Sequence, residues 1–373
     1  DNMKIGILTQ PLFSNYGGVL QAYALQAYLQ KQGCEVWIID RKNNKVPYWR
    51  VPLGVCKRIL LKYVLRKQVF VFGRNKKKQL NCKFRNIVNF IEENIRKTEI
   101  VTSDKDLKKI VNAYGFDTIV VGSDQVWRPC YTNCLKNYFL DFLPEESKVK
   151  KIAYAASFGV DDWEFSVKQT KECSKLLRYF DFVSVREDSG IEFCKKKFGV
   201  TAIQLLDPTM LLTPKDYLQL VKLPDKCKKS ANLWTYVLDL IPDKQAVIQN
   251  ISAYFGLQVS GIDENIEIAL PVTSWIQGIY EADFVVTDSF HGCVFSILFN
   301  KPFIVYGNSG RGMTRFHSLL KMFNLEERLI YKACDLDENV LQTKIDWLAV
   351  NRKLDTLRER ADCFWNEILK IDK

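Results

Sequence analysis

Apolar residues along the chain fall in short continuous runs separated by stretches with helical spacing, the pattern of buried parallel strands alternating with crossover helices. Lys4–Thr9 (KIGILT) is the first such run. It leads through a loop, Gln10–Gly18, into the helical pattern Val19–Lys31; Gly33 then stands at a C-cap position and Glu35–Asp40 reads as the next strand. Strand, helix and parallel strand this close together make a βαβ unit, which implies a doubly wound sheet with ligands at the carboxyl ends of its strands. Phe116–Gly122, Lys151–Ala155 and Phe182–Val185 continue the series, so residues 3–204 are expected to form one α/β domain. After a turn at Asp207-Pro208, strands over Leu233–Leu238, Gln258–Ser260, Phe284–Thr287 and Pro302–Tyr306 alternate with helices over Pro242–Phe255, Ser274–Glu281 and Gly292–Phe299. That alternation predicts a second α/β domain over 205–339. The stretch Val340–Ile371 is helical by pattern, and residues 340–373 are expected to pack back on the first domain.

Composition supports a globular reading: 373 residues, 47% hydrophobic, 13% aromatic and 26% charged. The first 25 residues read as strand, glycine loop and helix instead of a basic segment leading into an apolar one, which argues against export and for a cytoplasmic protein. The 11 cysteines form no CxxC pair and only two histidines occur, His291 and His317, so neither a disulfide framework nor a metal centre is expected. The formal charge of +11 is local in origin, because residues 41–109 hold 20 Lys and Arg against 5 Asp and Glu. Within that segment Val55–Phe72 has the spacing of a basic amphipathic helix, followed by Lys76-Lys77-Lys78. A solvated helix face explains it, and so does contact with an anionic membrane or a phosphorylated substrate. Nucleic acid is not expected, since no base-reading signature accompanies the charge.

Candidate chemistry gathers at strand ends. Asn15-Tyr16-Gly17-Gly18 opens a helix after the first strand, where backbone N–H groups can hold an anion; a purely conformational turn is the alternative. Gly122-Ser123-Asp124-Gln125 ends an apolar strand with groups suited to sugar hydroxyls or phosphate, or to capping a helical turn. Arg186 directly follows a strand and can hold a carboxylate or phosphate in bidentate fashion, or pair with Glu187. Thr287-Asp288-Ser289-Phe290-His291-Gly292 places one of the two histidines at a strand-to-helix junction, where a group titrating near neutrality can act as general acid or base. Gly307–Arg315 reads as a glycine-rich loop whose Arg311 and Arg315 suit a small dianion.

In order along the chain, NYGGVLQAYAL, VVGSDQVW, VSVRE, LDPTMLL and TDSFHGCVFSILFNKPFIVYG resemble the polysaccharide pyruvyl transferase family, over roughly residues 4–320. The resemblance implies two Rossmann-like lobes in a GT-B-like arrangement. It implies transfer of a pyruvyl group from phosphoenolpyruvate to hydroxyls of a sugar, leaving a cyclic pyruvate ketal and phosphate, with no cofactor beyond the donor and no metal. The acceptor would be a glycan or lipid-linked sugar of a bacterial surface polysaccharide, handled in the cytoplasm or at the inner face of the membrane. His291 matches the family's histidine before glycine and is the candidate acid, with Asp124 or Asp288 as base. Arg186, Arg311 and Arg315 would clamp the anion, and Asn15, Gly17, Gly18, Ser123 and Ser289 would line the substrate site. The long basic segment and the GSDQVW motif depart from the plainest family pattern and bear on the acceptor. Two other functions share these features: a GT-B glycosyltransferase using a nucleotide sugar, and a non-catalytic protein that binds anionic glycans or membrane.

Overall fold

A computed structural model describes residues 2–44, 73–132, 134–221, 231–262, 267–307 and 312–370. The amphipathic helix expected over Val55–Phe72 lies outside the described residues. Strands β1 (Lys4–Leu8), β2 (Glu35–Ile38), β3 (Thr118–Val121), β4 (Lys150–Ala156), β5 (Phe182–Val185) and β6 (Ile203–Gln204) form a parallel sheet in the order β2-β1-β3-β4-β5-β6. A second parallel sheet has the order β11-β10-β9-β7-β8, built from β7 (Asn232–Tyr236), β8 (Gln258–Ile262), β9 (Phe284–Thr287), β10 (Phe303–Tyr306) and β11 (Leu329–Ile330). In β3, β9 and β10 every residue is buried, as helices cover both faces of the sheets. Strand order reverses between β1 and β3 in the first sheet and between β7 and β9 in the second, which puts a crevice at the carboxyl ends of each pair.

The helix Tyr16–Lys31 starts three residues earlier than its apolar spacing suggests, because the Asn15 side chain caps it by accepting from the Gly18 N–H at 3.2 Å. It is buried nearly all round, between the two lobes. The Tyr16 ring stacks on Trp275 at 5.9 Å and its hydroxyl donates to the Leu270 carbonyl at 2.8 Å. One apolar core therefore runs through both lobes, with Tyr16, Tyr236, Trp275 and Phe295 at its middle.

Two expectations need correcting. The C-terminal segment is not one helix from Val340: a short turn over Glu338–Gln342 is broken from the long helix Trp347–Lys370, and the buried Arg328 guanidinium terminates the turn by donating to the Val340 and Thr343 carbonyls. The long helix buries Val350, Leu354, Leu357, Ala361, Phe364 and Ile368 on one stripe, with Phe364 against Phe182 and Trp365 against Tyr154 of the first lobe. Arg315 is not on a loop but in the first turn of the helix Thr314–Phe323, whose Phe316, Leu319, Leu320 and Phe323 are buried at helical spacing.

Candidate functional site

From the first lobe, β5 ends at Val185 and delivers Arg186 into a buried position. Its Nε donates to Glu187 Oε1 at 3.1 Å and its Nη1 to Asp207 Oδ2 at 2.9 Å. Glu187 is steadied in turn by the Ser157 hydroxyl at 2.6 Å, and Asp207 Oδ1 accepts from the Thr209 N–H and hydroxyl. Burial pushes the Asp207 carboxyl up, but His291, Arg186 and Thr209 outweigh it, so the carboxyl sits well below the usual carboxylate range. Burial likewise opposes the Arg186 charge, and Glu187, Asp207 and Asp124 restore it and raise its affinity for its proton.

The second lobe brings Phe290, His291 and Arg315 to the same point. Ser289 caps the helix Phe290–Leu298, and His291 lies in its first turn, 5% exposed. The ring is pressed against the opening of the 16–31 helix: a Cβ placed on Gly17 would stand 2.0 Å from His291 Nδ1. Its Nε2 lies 3.6 Å from Asp207 Oδ2, too far for a hydrogen bond. Phe290 is flanked by two guanidinium groups, Arg186 at 4.5 Å from the ring centre and Arg315 at 5.4 Å. Burial and the like charge of Arg186 bring Arg315 down to about 10, against opposing pulls from Asp124 and Glu187. Asp124 holds a left-handed backbone, its Oδ1 accepts the Gln125 N–H at 2.8 Å, and a Cβ on Gly18 would meet its Oδ2 at 3.4 Å.

Three buried polar atoms of this cluster have no hydrogen-bond partner: Arg186 Nη2, Glu187 Oε2 and His291 Nε2. Buried polar atoms are nearly always paired, so three orphans in one place make this cluster the candidate for a polar ligand. The contact at Gly17 gives a direct test. Gly17→Ala would drive a methyl group into the imidazole, and we expect a stability loss of about 1–3 kcal/mol and a turnover loss of about 10–100-fold. Thermal unfolding and steady-state rates measure both; wild-type turnover would mean that the ring's position does not matter.

The sequence candidates divide. His291, Gly17, Gly18, Asp124, Arg186 and Arg315 come together, whereas Arg311 lies outside the described residues. Asp288 is corrected: it is 1% exposed, pairs with Lys244 Nζ at 2.7 Å and accepts the Leu238 and Asp239 N–H groups, so it ties the end of β7 to the end of β9 and is not placed to act as base. Ser123 is corrected too, since its hydroxyl is fully buried and donates to the Ala155 carbonyl at 2.9 Å. Asn15 and Ser289 spend their side chains as N-caps, which leaves only their helices' N–H groups to face a ligand.

Sequence reasoning passed over Asp207 as a turn residue and gave Phe290 no role. It also missed Arg128, which donates to Glu164, Gln125 Oε1 and the Tyr131 hydroxyl and braces the loop after β3. For Asp207 a signal existed: an acidic residue directly after the short apolar stretch Leu205-Leu206, at the edge of the sheet that carries Arg186.

Among the described residues no group of His, Cys, Asp and Glu is placed to hold a metal ion, and no helix is long and apolar enough to cross a membrane. A family model described as polysaccharide pyruvyl transferase matches residues 15–310. No curated protein matches the chain by sequence. Among solved structures, the UDP-GlcNAc 2-epimerase of Neisseria meningitidis bound to UDP-GlcNAc is similar at 8% identity and TM-score 0.52, over 95% of this chain and 94% of that one. A glycosyltransferase from Rickettsia africae matches at 11% identity and TM-score 0.51, over 99% and 100%. The UDP-GlcNAc 2-epimerase of Methanocaldococcus jannaschii matches at 10% identity and TM-score 0.52, over 92% and 93%. At such identities the likeness establishes the fold alone, two Rossmann-like lobes in a GT-B-like arrangement.

Proposed function

The chain belongs to the polysaccharide pyruvyl transferase family, and from that premise we propose that it transfers a pyruvyl group from phosphoenolpyruvate to two hydroxyls of one sugar, in a bacterial surface polysaccharide or its lipid-linked precursor. One observation carries this reading: the buried cluster in which Arg186 Nη2 and His291 Nε2 lack partners beside the second guanidinium of Arg315. Phosphoenolpyruvate is a small polyanion with a carboxylate and a phosphate, and two fixed guanidinium groups in a dry site are suited to it.

In this reading the protonated His291 imidazole gives its proton to the methylene carbon of the donor, and the adjacent carbon takes up oxocarbenium character. A sugar hydroxyl adds there, with Asp124 accepting its proton. The bond from that carbon to the phosphate oxygen then breaks, the electron pair leaving with phosphate, and the second hydroxyl closes the ketal. Of the two hydroxyl protons lost, one balances the proton gained by the methyl group and the other leaves with phosphate. Asp207 stays ionised throughout, fixed by Arg186 and Thr209. Arg186, Asp207, Phe290 and Arg315 border a void of only about 10 Å³, room for a water at most, so uptake of the donor requires the side chains that close the cluster to move apart. On the cytoplasmic face of a membrane, the basic segment 41–109 would favour lipid-linked acceptors.

The test is incubation of the full chain with phosphoenolpyruvate and a panel of saccharides presenting hydroxyl pairs close enough to share one carbon. Phosphate release that requires both substrates, with a matching ketal signal by NMR, is expected. Consumption of a nucleotide sugar with no phosphate released from phosphoenolpyruvate across the panel would overturn the reading.

A further inference from the structure

Where the long helix Trp347–Lys370 crosses the helix Thr314–Phe323, the chain forms a half-open cleft of about 790 Å³, a size typical of small-molecule sites. Leu205, Leu206 and Met322 partition it from the Arg186 and Arg315 cluster, so it is a separate compartment.

Its charged lining is one-sided. Lys321 comes from the shorter helix and Arg352, Lys353 and Arg360 from the longer, against Asp188 as the single carboxylate. Arg352, Thr356 and Arg360 recur every four residues, with Ala349, Lys353 and Leu357 on the adjoining row, so they share one helix face. Arg358, just off that face, is committed elsewhere, donating to the Met210 and Leu212 carbonyls. Lys321 and Asp188 approach to 3.7 Å with both side chains well exposed, a pair that contributes little. Among the described residues, Arg352, Lys353 and Arg360 have no carboxylate within ion-pair distance. Like charges gathered on one helix face repel, and a bound polyanion relieves that repulsion.

The shape narrows the ligand. Arg352 and Arg360 are separated by about 12 Å along the helix axis, a longer reach of negative charge than one phosphate offers. Beneath them Leu205, Leu206, Met322 and Phe323 make an apolar floor. From this combination we infer that the cavity binds an organic diphosphate, its charged end held by Arg352, Lys353 and Arg360 and its organic body on the apolar floor. The inference is independent of the reaction proposed for the His291 cluster.

Calorimetric titration of the full chain with uridine diphosphate, farnesyl diphosphate and inorganic pyrophosphate tests it. At least one organic diphosphate is expected to bind more tightly than pyrophosphate, and the preferred body distinguishes a nucleotide from a lipid carrier. Arg352→Gln with Arg360→Gln should weaken that binding about tenfold or more, the Arg352→Lys, Arg360→Lys pair should recover most of it, and His291→Gln should leave it unchanged. Both arginines are exposed, so these variants fold. Absence of binding by all three probes, organic diphosphates no better than pyrophosphate, or affinity that follows His291 and ignores the two arginines would overturn the inference.

Discussion

Replacing His291 with glutamine is expected to lower phosphate release from phosphoenolpyruvate by about 10²–10⁴-fold, the usual contribution of a positioned general acid, while leaving the fold intact. The separation of the two effects follows from the ring's surroundings. His291 Nε2 makes no hydrogen bond, and its neighbour Asp207 keeps Arg186 and Thr209 when the imidazole is gone. No buried group is orphaned, so the stability change should stay within about 1 kcal/mol. The guanidinium groups that meet the donor's charges also remain, so KM should move little while kcat falls, the pattern of a group that acts only in the transition state. Steady-state phosphate release and thermal unfolding on the same preparation decide the matter. A variant that turns over at the wild-type rate removes the imidazole from the chemistry; one that loses activity only in proportion to lost folded protein makes it a structural residue.

The sequence pattern located most of the regular structure and less of the site, and the reason is physical. Strands buried on both faces, such as Thr118–Val121 and Phe284–Thr287, are written as short continuous apolar runs, told from buried helices by their length and their β-branched residues. The two-residue strands β6 and β11 carry too few positions to show a period, and they are held by their neighbours in the sheet. In the site, the strand-end rule found Arg186, Asp124 and His291, because the carboxyl edge of a parallel sheet is set by topology. It could not tell ligand-facing groups from structural ones. Asp124 and Asp288 look alike in sequence, three residues and one residue beyond an apolar strand, yet Asp288 meets the buried Lys244 ammonium from the helix Pro242–Phe255. That partner is 44 positions away, and only the packing of that helix on the sheet brings it there. Likewise Arg315 read as a loop residue because the glycines before it masked the start of a helix whose apolar stripe lies beyond it.

Arg186 and Arg315 both present a guanidinium to the Phe290 ring, and they should respond unequally to the same substitution. Arg186→Met leaves Glu187 and Asp207 as buried carboxylates stripped of their shared counter-charge, a loss of about 3–5 kcal/mol. Arg315→Met removes a cation that burial and the charge of Arg186 hold under stress, with its pKa brought down to about 10. A base whose folded pKa lies below its unfolded one costs stability at neutral pH; the cost fades as pH rises from about 10 toward the ordinary arginine value, where the unfolded chain binds the extra proton. Its removal should therefore cost the melting temperature much less than Arg186→Met does. The same stress is what a bound dianion relieves, so Arg315→Met should weaken phosphoenolpyruvate by about 10–100-fold, one charge-assisted contact, and erase most of the donor's stabilising effect on unfolding. Melting curves of both variants with and without phosphoenolpyruvate separate the roles. If Arg315→Met unfolds as readily as Arg186→Met, or still gains full stability from the donor, the two guanidinium groups do not divide the work between holding the lobe together and holding the anion.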